Sequence, residues 1–231
     1  MKYPAHLALA AGLAVALSPA FAAGNLVTDG GFESAVLPDG TYGFYAGDSL
    51  WGWTASSGTG DSIEIRHNVV GTAQEGQYFA ELDSEFHNSG MSQTINTVAG
   101  ATYTLSFWFS SRPQSYEYNY LVDPIGGVAP AASNGLTVDL GTGAVAVPAQ
   151  PANTAPDNLW QHYSKTFTAT GATTLTFWAT GTSDTVGTSI DNVSITAVPE
   201  PATVALFAAG LFAIGGLARR RGARLSDTSD R

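Results

Sequence analysis

The stretch ATYTLSFWFS, residues 101–110, alternates apolar and hydroxyl-bearing side chains with a period of two. Its apolar positions are Tyr103, Leu105, Phe107 and Phe109. Trp108 falls among the Thr and Ser positions on the other side. The stretch TTLTFWAT, residues 173–180, repeats the pattern with Trp178 on its polar side. This period is typical of a β-strand with one face in a core, so both stretches predict half-buried strands.

Further short strand-like segments fill residues 24–197, separated by Gly, Asn, Asp or Pro. They include QYFAEL, MSQTIN, GLTVDL, HYSKTFTA and TSIDNVSI. No part of this region shows sustained helical periodicity. Many short strands with turn signals predict an all-β domain, an antiparallel sandwich of jelly-roll type. The chain has no cysteine, so disulfides do not stabilise this domain.

The predicted sandwich is strongly acidic. Residues 24–197 contain three basic and sixteen acidic side chains, a net charge of −13. Nucleic-acid binding needs the opposite sign, so we exclude it. An acidic surface suits a soluble domain and divalent cations.

The N-terminus has the order of a secretory signal peptide. A basic start at Lys2 is followed by the apolar run HLALAAGLAVAL, and Ala20-Phe21-Ala22 matches the small-x-small pattern of a cleavage site. A buried N-terminal helix is the alternative. We predict a signal peptide over residues 1–22.

The C-terminus contains a second apolar segment. Residues 202–218 carry no charge, and a polar tail, residues 222–231, follows three consecutive arginines, Arg219, Arg220 and Arg221. Seventeen residues reach the lower limit for a helix that spans a bilayer. When the sandwich is translocated, the arginines stay on the cytoplasmic side. A buried core helix is the alternative, but the segment predicts a single hydrophobic helix that anchors the chain temporarily.

The residues before this span carry a recognisable motif, Pro199-Glu200-Pro201. Motif, hydrophobic span and arginine cluster, residues 198–221, resemble the PEP-CTERM sorting signal of Gram-negative bacteria. The resemblance implies that an exosortase reads the motif and processes the protein, often in bacteria that make exopolysaccharide. It implies secretion across the inner membrane, a transient anchor there, and a final location at the cell surface or in the extracellular matrix.

The ends of the predicted sandwich are also familiar. NLVTDGGFES near its start and SIDNVSIT near its end resemble galactose-binding-like β-sandwich domains of carbohydrate-binding modules and plant cell-wall proteins. The resemblance spans most of residues 25–196 and implies a non-catalytic domain that in many members binds glycans. It further implies a structural Ca²⁺ beside the first and last strands, with Asp29, Glu33 and Asp191 as oxygen ligands. The alternative is that these carboxylates cap turns or bond locally.

Four tryptophans are candidates for stacking against a sugar ring, because flat aromatic rings bind the apolar face of a pyranose. Trp108 and Trp178 lie opposite the apolar faces of their strands. Trp51 and Trp53, in LWGWT, are expected to share one side of a third strand. The alternative for all four is packing in the interior or against a second covered face.

The sequence provides no evidence for catalysis. Glu81, Asp83 and Glu85 fall on one face of a strand or its end, and Glu64 lies in another strand. Paired carboxylates can serve glycoside hydrolysis, but a one-sided acidic row usually marks a solvated edge. We predict a non-enzymatic, glycan-binding matrix or surface protein. The alternatives are a structural matrix protein that contacts protein partners, and an extracellular glycoside hydrolase.

Overall fold

The structure is a computed structural model that describes residues 24–47, 50–55, 62–84, 88–114, 131–199 and residue 210. The predicted signal peptide, hydrophobic span and arginine cluster lie outside these residues, as do Glu85, Glu200 and Pro201. Among the residues described, no helix is long and apolar enough to cross a membrane.

The strands belong to one unit, Ala23–Val198. In chain order they are β1 (Thr41–Ala46), β2 (Thr54–Ala55), β3 (Ser62–His67), β4 (Tyr78–Leu82), β5 (Gly90–Ile95), β6 (Thr102–Ser111), β7 (Leu136–Asp139), β8 (Val145–Ala146), β9 (Gln161–Thr168), β10 (Thr173–Ala179) and β11 (Thr188–Ala197). They form a six-stranded sheet, β1-β3-β4-β11-β6-β9, and a five-stranded sheet, β2-β5-β10-β7-β8. All pairings are antiparallel, which confirms the predicted all-β sandwich.

The core lies between the two sheets, as the alternating patterns predict. Leu105 and Phe107 of β6 and Leu175 and Phe177 of β10 are fully buried. The rings of Phe107 and Phe177 meet edge to face, with centroids 4.9 Å apart. This geometry is favourable for aromatic pairs and joins the two sheets directly.

The beginning and end of the sandwich are in direct contact. The backbone N–H of Leu26 donates to the carbonyl of Ile195 in β11 at 2.9 Å. The side chain of Asn25 accepts the N–H of Ile195 and donates to the carbonyl of Val193. At Gly30 a Cβ would lie 2.0 Å from the Val193 carbonyl oxygen, so only glycine permits this approach. The two segments that resemble galactose-binding-like domains therefore fold against each other.

The outer face of the six-stranded sheet is closed over β3, β4 and the first half of β11, while outward side chains of β9, such as Ser164 and Thr166, are exposed. Its side chains from β3, β4 and β11 are almost completely buried; they are Glu64, Arg66, Phe79, Glu81, Ser189 and Asp191. Trp160, just before β9, meets Phe79 edge to face at 5.9 Å. The sandwich therefore has a second buried layer on this side.

That layer contains a network of buried ion pairs. The Glu81 carboxylate lies 3.0 Å from Arg66 Nε and 2.7 Å from Arg112 Nη1. Arg66 Nη2 lies 2.7 Å from the Glu64 carboxylate. The Tyr42 ring lies 5.5 Å from the Arg66 guanidinium carbon, a cation–π contact. Burial raises the pKa of Glu64 to about 7. Two arginines thus offset two glutamates that would otherwise be costly to bury.

The network corrects the expectation of a solvated acidic edge. Glu64, Glu81 and Asp83 are each at most 3 % exposed. The carboxylate of Asp83 accepts two backbone N–H groups, from Asp184 and Thr185, at 2.8 and 2.9 Å. The sequence looked acidic and exposed here because Arg112 and the amide partners of Asp83 are far away along the chain.

We expect Glu81→Gln to lower the free energy of unfolding by about 3–5 kcal/mol, because it removes the charged carboxylate that pairs with both buried arginines. Urea unfolding of the whole chain measures this. Asp39→Asn is the matched control, since Asp39 is a surface carboxylate near His67, with its side chain 76 % exposed. Its expected effect is below about 1 kcal/mol. Equal effects of the two substitutions would contradict the assigned network.

Candidate functional site: the open face of the five-stranded sheet

The outer face of the five-stranded sheet is open to solvent, whereas that of the other sheet is closed over β3, β4 and the first half of β11. Its side chains are half-buried or exposed; they are Thr54, Ser92, Thr94, Thr137, Thr174, Thr176 and Trp178. The alternate positions, such as Met91 and Phe177, point into the core. The open face therefore presents mainly hydroxyl groups around one large aromatic ring, that of Trp178.

The strand register places that ring near the middle of the sheet. Trp178 in β10 lies opposite Gly90 of β5 on one side and Thr137 of β7 on the other. Thr176, two residues earlier, lies between Ser92 and Asp139. Gly90 has no side chain and therefore adds no group beside the indole. A ring exposed among hydroxyls can stack on the apolar face of a sugar while the hydroxyls bond to its edges.

Trp108 occupies the opposite side of the molecule. It lies on the outer face of the six-stranded sheet, half-buried, with its ring 5.0 Å from that of His162 across β6 and β9. Both Trp108 and Trp178 are on the polar sides of their strands, as the alternation predicts. They belong to different sheets, so they cannot form one stacking platform.

The expectation that Trp51 and Trp53 share one side of a strand is wrong. Trp53 is 1 % exposed and packs between Phe32 and Phe177, with ring centroids 5.8 and 6.2 Å away. Trp51 is 72 % exposed. Gly52 between them has a φ of +82°, and this turn sends the two rings in different directions. Trp53 is a core residue and is not available to a ligand.

Two of the predicted calcium ligands are neighbours. The carboxylate of Glu33 accepts two backbone N–H groups of loop 74–78 at 2.8 and 3.0 Å. That of Asp191 accepts two more from the same loop, at 2.7 and 3.1 Å. Burial raises the pKa of Asp191 to about 7, and the negative charge of Glu33 adds to the increase. The last strand and the start of the sandwich thus hold one loop between them.

Asp29 does not join this pair. Its carboxylate accepts the backbone N–H of Ser34 at 3.1 Å and also the Ser34 hydroxyl, so it stabilises a local turn. In the described part of the chain, no three His, Asp or Glu side chains form a group that could hold a metal ion. The predicted three-carboxylate arrangement is therefore not formed.

A cavity of about 330 Å³ adjoins the Glu33–Asp191 pair. It is lined by Gly31, Glu33, Glu75, Gly76 and Asn192. At Gly76, whose φ is +72°, a Cβ would lie 2.2 Å from the Glu33 carboxylate, so the loop backbone approaches it closely. Carboxylate and amide oxygens are the ligand types that Ca²⁺ prefers. Of the three predicted ligands, Glu33 and Asp191 are thus the two carboxylates that lie at this cavity's edge and bind the same loop.

Comparison with known proteins identifies the C-terminal segment. The PEP-CTERM protein-sorting motif matches residues 197–221. The chain carries a PEP-CTERM sorting signal. This confirms the predicted signal and implies a secreted protein that is transiently anchored in the membrane and processed by an exosortase. Pro199, the first residue of the motif, is exposed, and Val198 before it is still bonded to β6 through Thr102.

The sandwich resembles several solved structures. The Stig cyclase Fisc from Fischerella sp. TAU is 19 % identical with a TM-score of 0.51, over 77 % of this chain and 98 % of the cyclase. A family 16 carbohydrate-binding module is 16 % identical with a TM-score of 0.42, over 74 % of this chain and 99 % of the module. TmCBM61, solved with β-1,4-galactotriose, is 16 % identical with a TM-score of 0.43, over 75 % and 99 % of the two chains. No curated protein matches the sequence. At 19 % identity, the similarity to the cyclase shows a shared fold and nothing about activity.

We expect the free energy of unfolding to be higher at pH 5 than at pH 8. The pKa of Asp191 is about 7 in the folded protein and 3.8 is its ordinary value, so between these values the folded state binds more protons. Stability then falls as the pH rises through this window. Asp191→Asn, measured by urea unfolding at both pH values, should reduce the difference, and Asp39→Asn should not. An undiminished difference in Asp191→Asn would contradict the raised pKa.

Proposed function

We propose that this PEP-CTERM protein is a secreted, exosortase-processed surface or matrix protein whose sandwich binds glycans without catalysis. The observation that carries the proposal is Trp178, a half-exposed indole in the central strand of the open face. Gly90 and Thr137 border it, and the surrounding side chains carry hydroxyls. This combination suits a sugar ring better than it suits a protein partner, since most of the face consists of small polar groups.

The charges of the face favour a neutral glycan. Its described side chains include no Lys or Arg, and the sandwich as a whole is strongly acidic. The one carboxylate at its margin, Asp139, accepts three backbone N–H groups of its own turn, at 2.7, 3.1 and 3.2 Å. An acidic polysaccharide would be repelled by the domain and would find no cation to pair with on this face.

The buried carboxylates argue for binding rather than hydrolysis. Glycosidases place two carboxylates across a cleft, about 5–10 Å apart. Glu64 and Glu81 are instead paired with arginines in the closed layer, and Asp83 is bonded to backbone amides. None of these groups borders the open face. The proposal therefore assigns no catalytic residue.

A screen of the purified protein against neutral and acidic glycans tests this function. We expect binding to a neutral glycan, weakened about tenfold or more in Trp178→Ala, because covering an aromatic face contributes on the order of 1.5 kcal/mol. Trp108→Ala, a half-buried tryptophan on the other sheet, is the matched control and should bind like the parent. Thermal unfolding of both variants checks that they are folded.

Two results would count against the assignment. Loss of binding in Trp108→Ala alone would move the site to the six-stranded sheet. Absence of binding to every glycan, with both variants folded, would favour the alternative of a structural matrix protein that contacts protein partners. Exposed Trp51 can then be tested in the same way, since it lies in the turn before β2.

We further propose that Glu33 and Asp191 bind a structural calcium ion. The support is the pair of adjacent carboxylates beside a cavity whose lining includes Glu33, Glu75 and Asn192, one carboxylate having a raised pKa that a cation would lower. Calcium should raise the unfolding temperature at pH 8, and less at pH 5, where protons compete for the carboxylates. The increase should be lost in Glu33→Gln and kept in Asp29→Asn. An equal increase in all three chains would place calcium elsewhere.

A further inference from the structure

One tip of the sandwich is built from four segments that meet where β11 ends. They are residues 24–26, 96–102, 168–173 and 194–199. We call this region the exit tip, because the chain leaves the sandwich there toward the sorting signal. Gly100 N–H donates to the carbonyl of Ala169, and Ala169 N–H donates to that of Ala101. The N–H of Val198 donates to the carbonyl of Thr102 at 2.9 Å. The segments therefore form one connected surface.

The exit tip carries no charged side chain. Its four segments contain no Asp, Glu, Lys or Arg, although residues 24–197 have nineteen such groups. Exposed apolar side chains occur there instead, with Leu26 39 %, Val98 66 % and Val198 41 % exposed. The other residues of the tip are Ala, Gly, Thr and Asn, together with Ser194, Ile195 and Pro199. An uncharged, weakly apolar tip on a domain of charge −13 is unusual for a surface that faces only water.

The covalent chain limits how far the tip can be from a membrane. Pro199 starts the sorting motif, and the uncharged run begins at Ala202. The four residues after Val198 can extend by at most about 14 Å. When the sorting signal is inserted, the exit tip is thus held within about 14 Å of the point where the chain enters the lipid. No linker separates the last hydrogen-bonded residue from the motif.

We propose that the exit tip rests on the lipid surface of the membrane while the protein awaits processing. This inference depends on the membrane anchoring implied by the sorting signal, and it is independent of glycan binding. A carboxylate pressed against lipid loses hydration, and an anionic headgroup layer repels it. The exit tip has no such charges and exposes Val98 and Val198 instead. The folded sandwich can therefore approach the bilayer as closely as the four residues between Val198 and the hydrophobic span require.

The test uses the full chain in vesicles of phosphatidylethanolamine and phosphatidylglycerol. Since the protein has no cysteine, Val98→Cys gives one labelling site for an environment-sensitive fluorophore. Thr182→Cys is the matched control, because Thr182 is exposed in the loop between β10 and β11, at the opposite end of both strands. We expect the label at residue 98 to shift to the blue and to lose emission to a nitroxide carried by lipid headgroups. The label at residue 182 should do neither.

Each other outcome overturns the proposal in a distinguishable way. Protein that floats with vesicles but shows no quenching at residue 98 is anchored without contact between the tip and the lipid. The exposed apolar residues of the tip would then be a contact surface for the processing enzyme or for a second copy of the chain. Quenching at both positions means non-specific adsorption. Failure to float means that the anchor itself is wrong. Unfolding temperatures equal to that of the parent confirm that the labelled chains are folded.

A charge variant tests the physical cause. Ala99→Asp, added to the chain labelled at residue 98, should reduce the loss of emission, because it places a carboxylate on the exposed tip. Thr182→Asp in the same labelled chain is the control and should leave the loss unchanged. A loss of emission that Ala99→Asp does not alter would contradict the assigned role of the missing charges.

Discussion

The antiparallel pairing of β11 with β6 positions both Asp191 and the exit to the sorting signal. β11 pairs with β6 from Thr188 to Ala197 and with β4 over its first three residues. Beyond them, the N-terminal segment bonds to the same strand through Asn25 and Leu26. A shift of register between Asp191 and Ser194 turns the strand where the two partners change. One strand thus joins the start of the domain, the carboxylate of Asp191 and the exit to the sorting signal.

The two outer faces show how one sandwich separates stability from recognition. The six-stranded sheet covers its outer face over β3, β4 and the first half of β11, and the buried charges there are neutralised, because Arg66 and Arg112 pair with Glu64 and Glu81. The five-stranded sheet leaves its outer face open and carries hydroxyls there, which need no partner when water is present. The open face can therefore exchange water for a ligand without exposing an unpaired buried charge.

Local pattern in the sequence was enough for the strands and for the side on which a residue lies. The alternation around Leu105 and Phe177 placed both in the core, and it placed Trp108 and Trp178 on polar sides. It could not say that β6 and β10 belong to different sheets, because that depends on strand order. The same limit hid the network: Glu81 lies 31 residues from Arg112, and no local signal connects them. At Trp53 a single positive φ at Gly52 reversed the expected side.

The open face and the exit tip are linked by one strand, which makes their proposed roles compatible. β10 begins at Thr173 in the exit tip and reaches Trp178 five residues later, about 17 Å along an extended strand. If the tip rests on lipid, the indole of Trp178 lies about 17 Å from the tip. It belongs to the side of the sheet, whereas the lipid contact is made by the end of the strand. An anchored molecule could then bind matrix glycan before its sorting signal is processed, since lipid contact and sugar contact use different surfaces of the same rigid sheet.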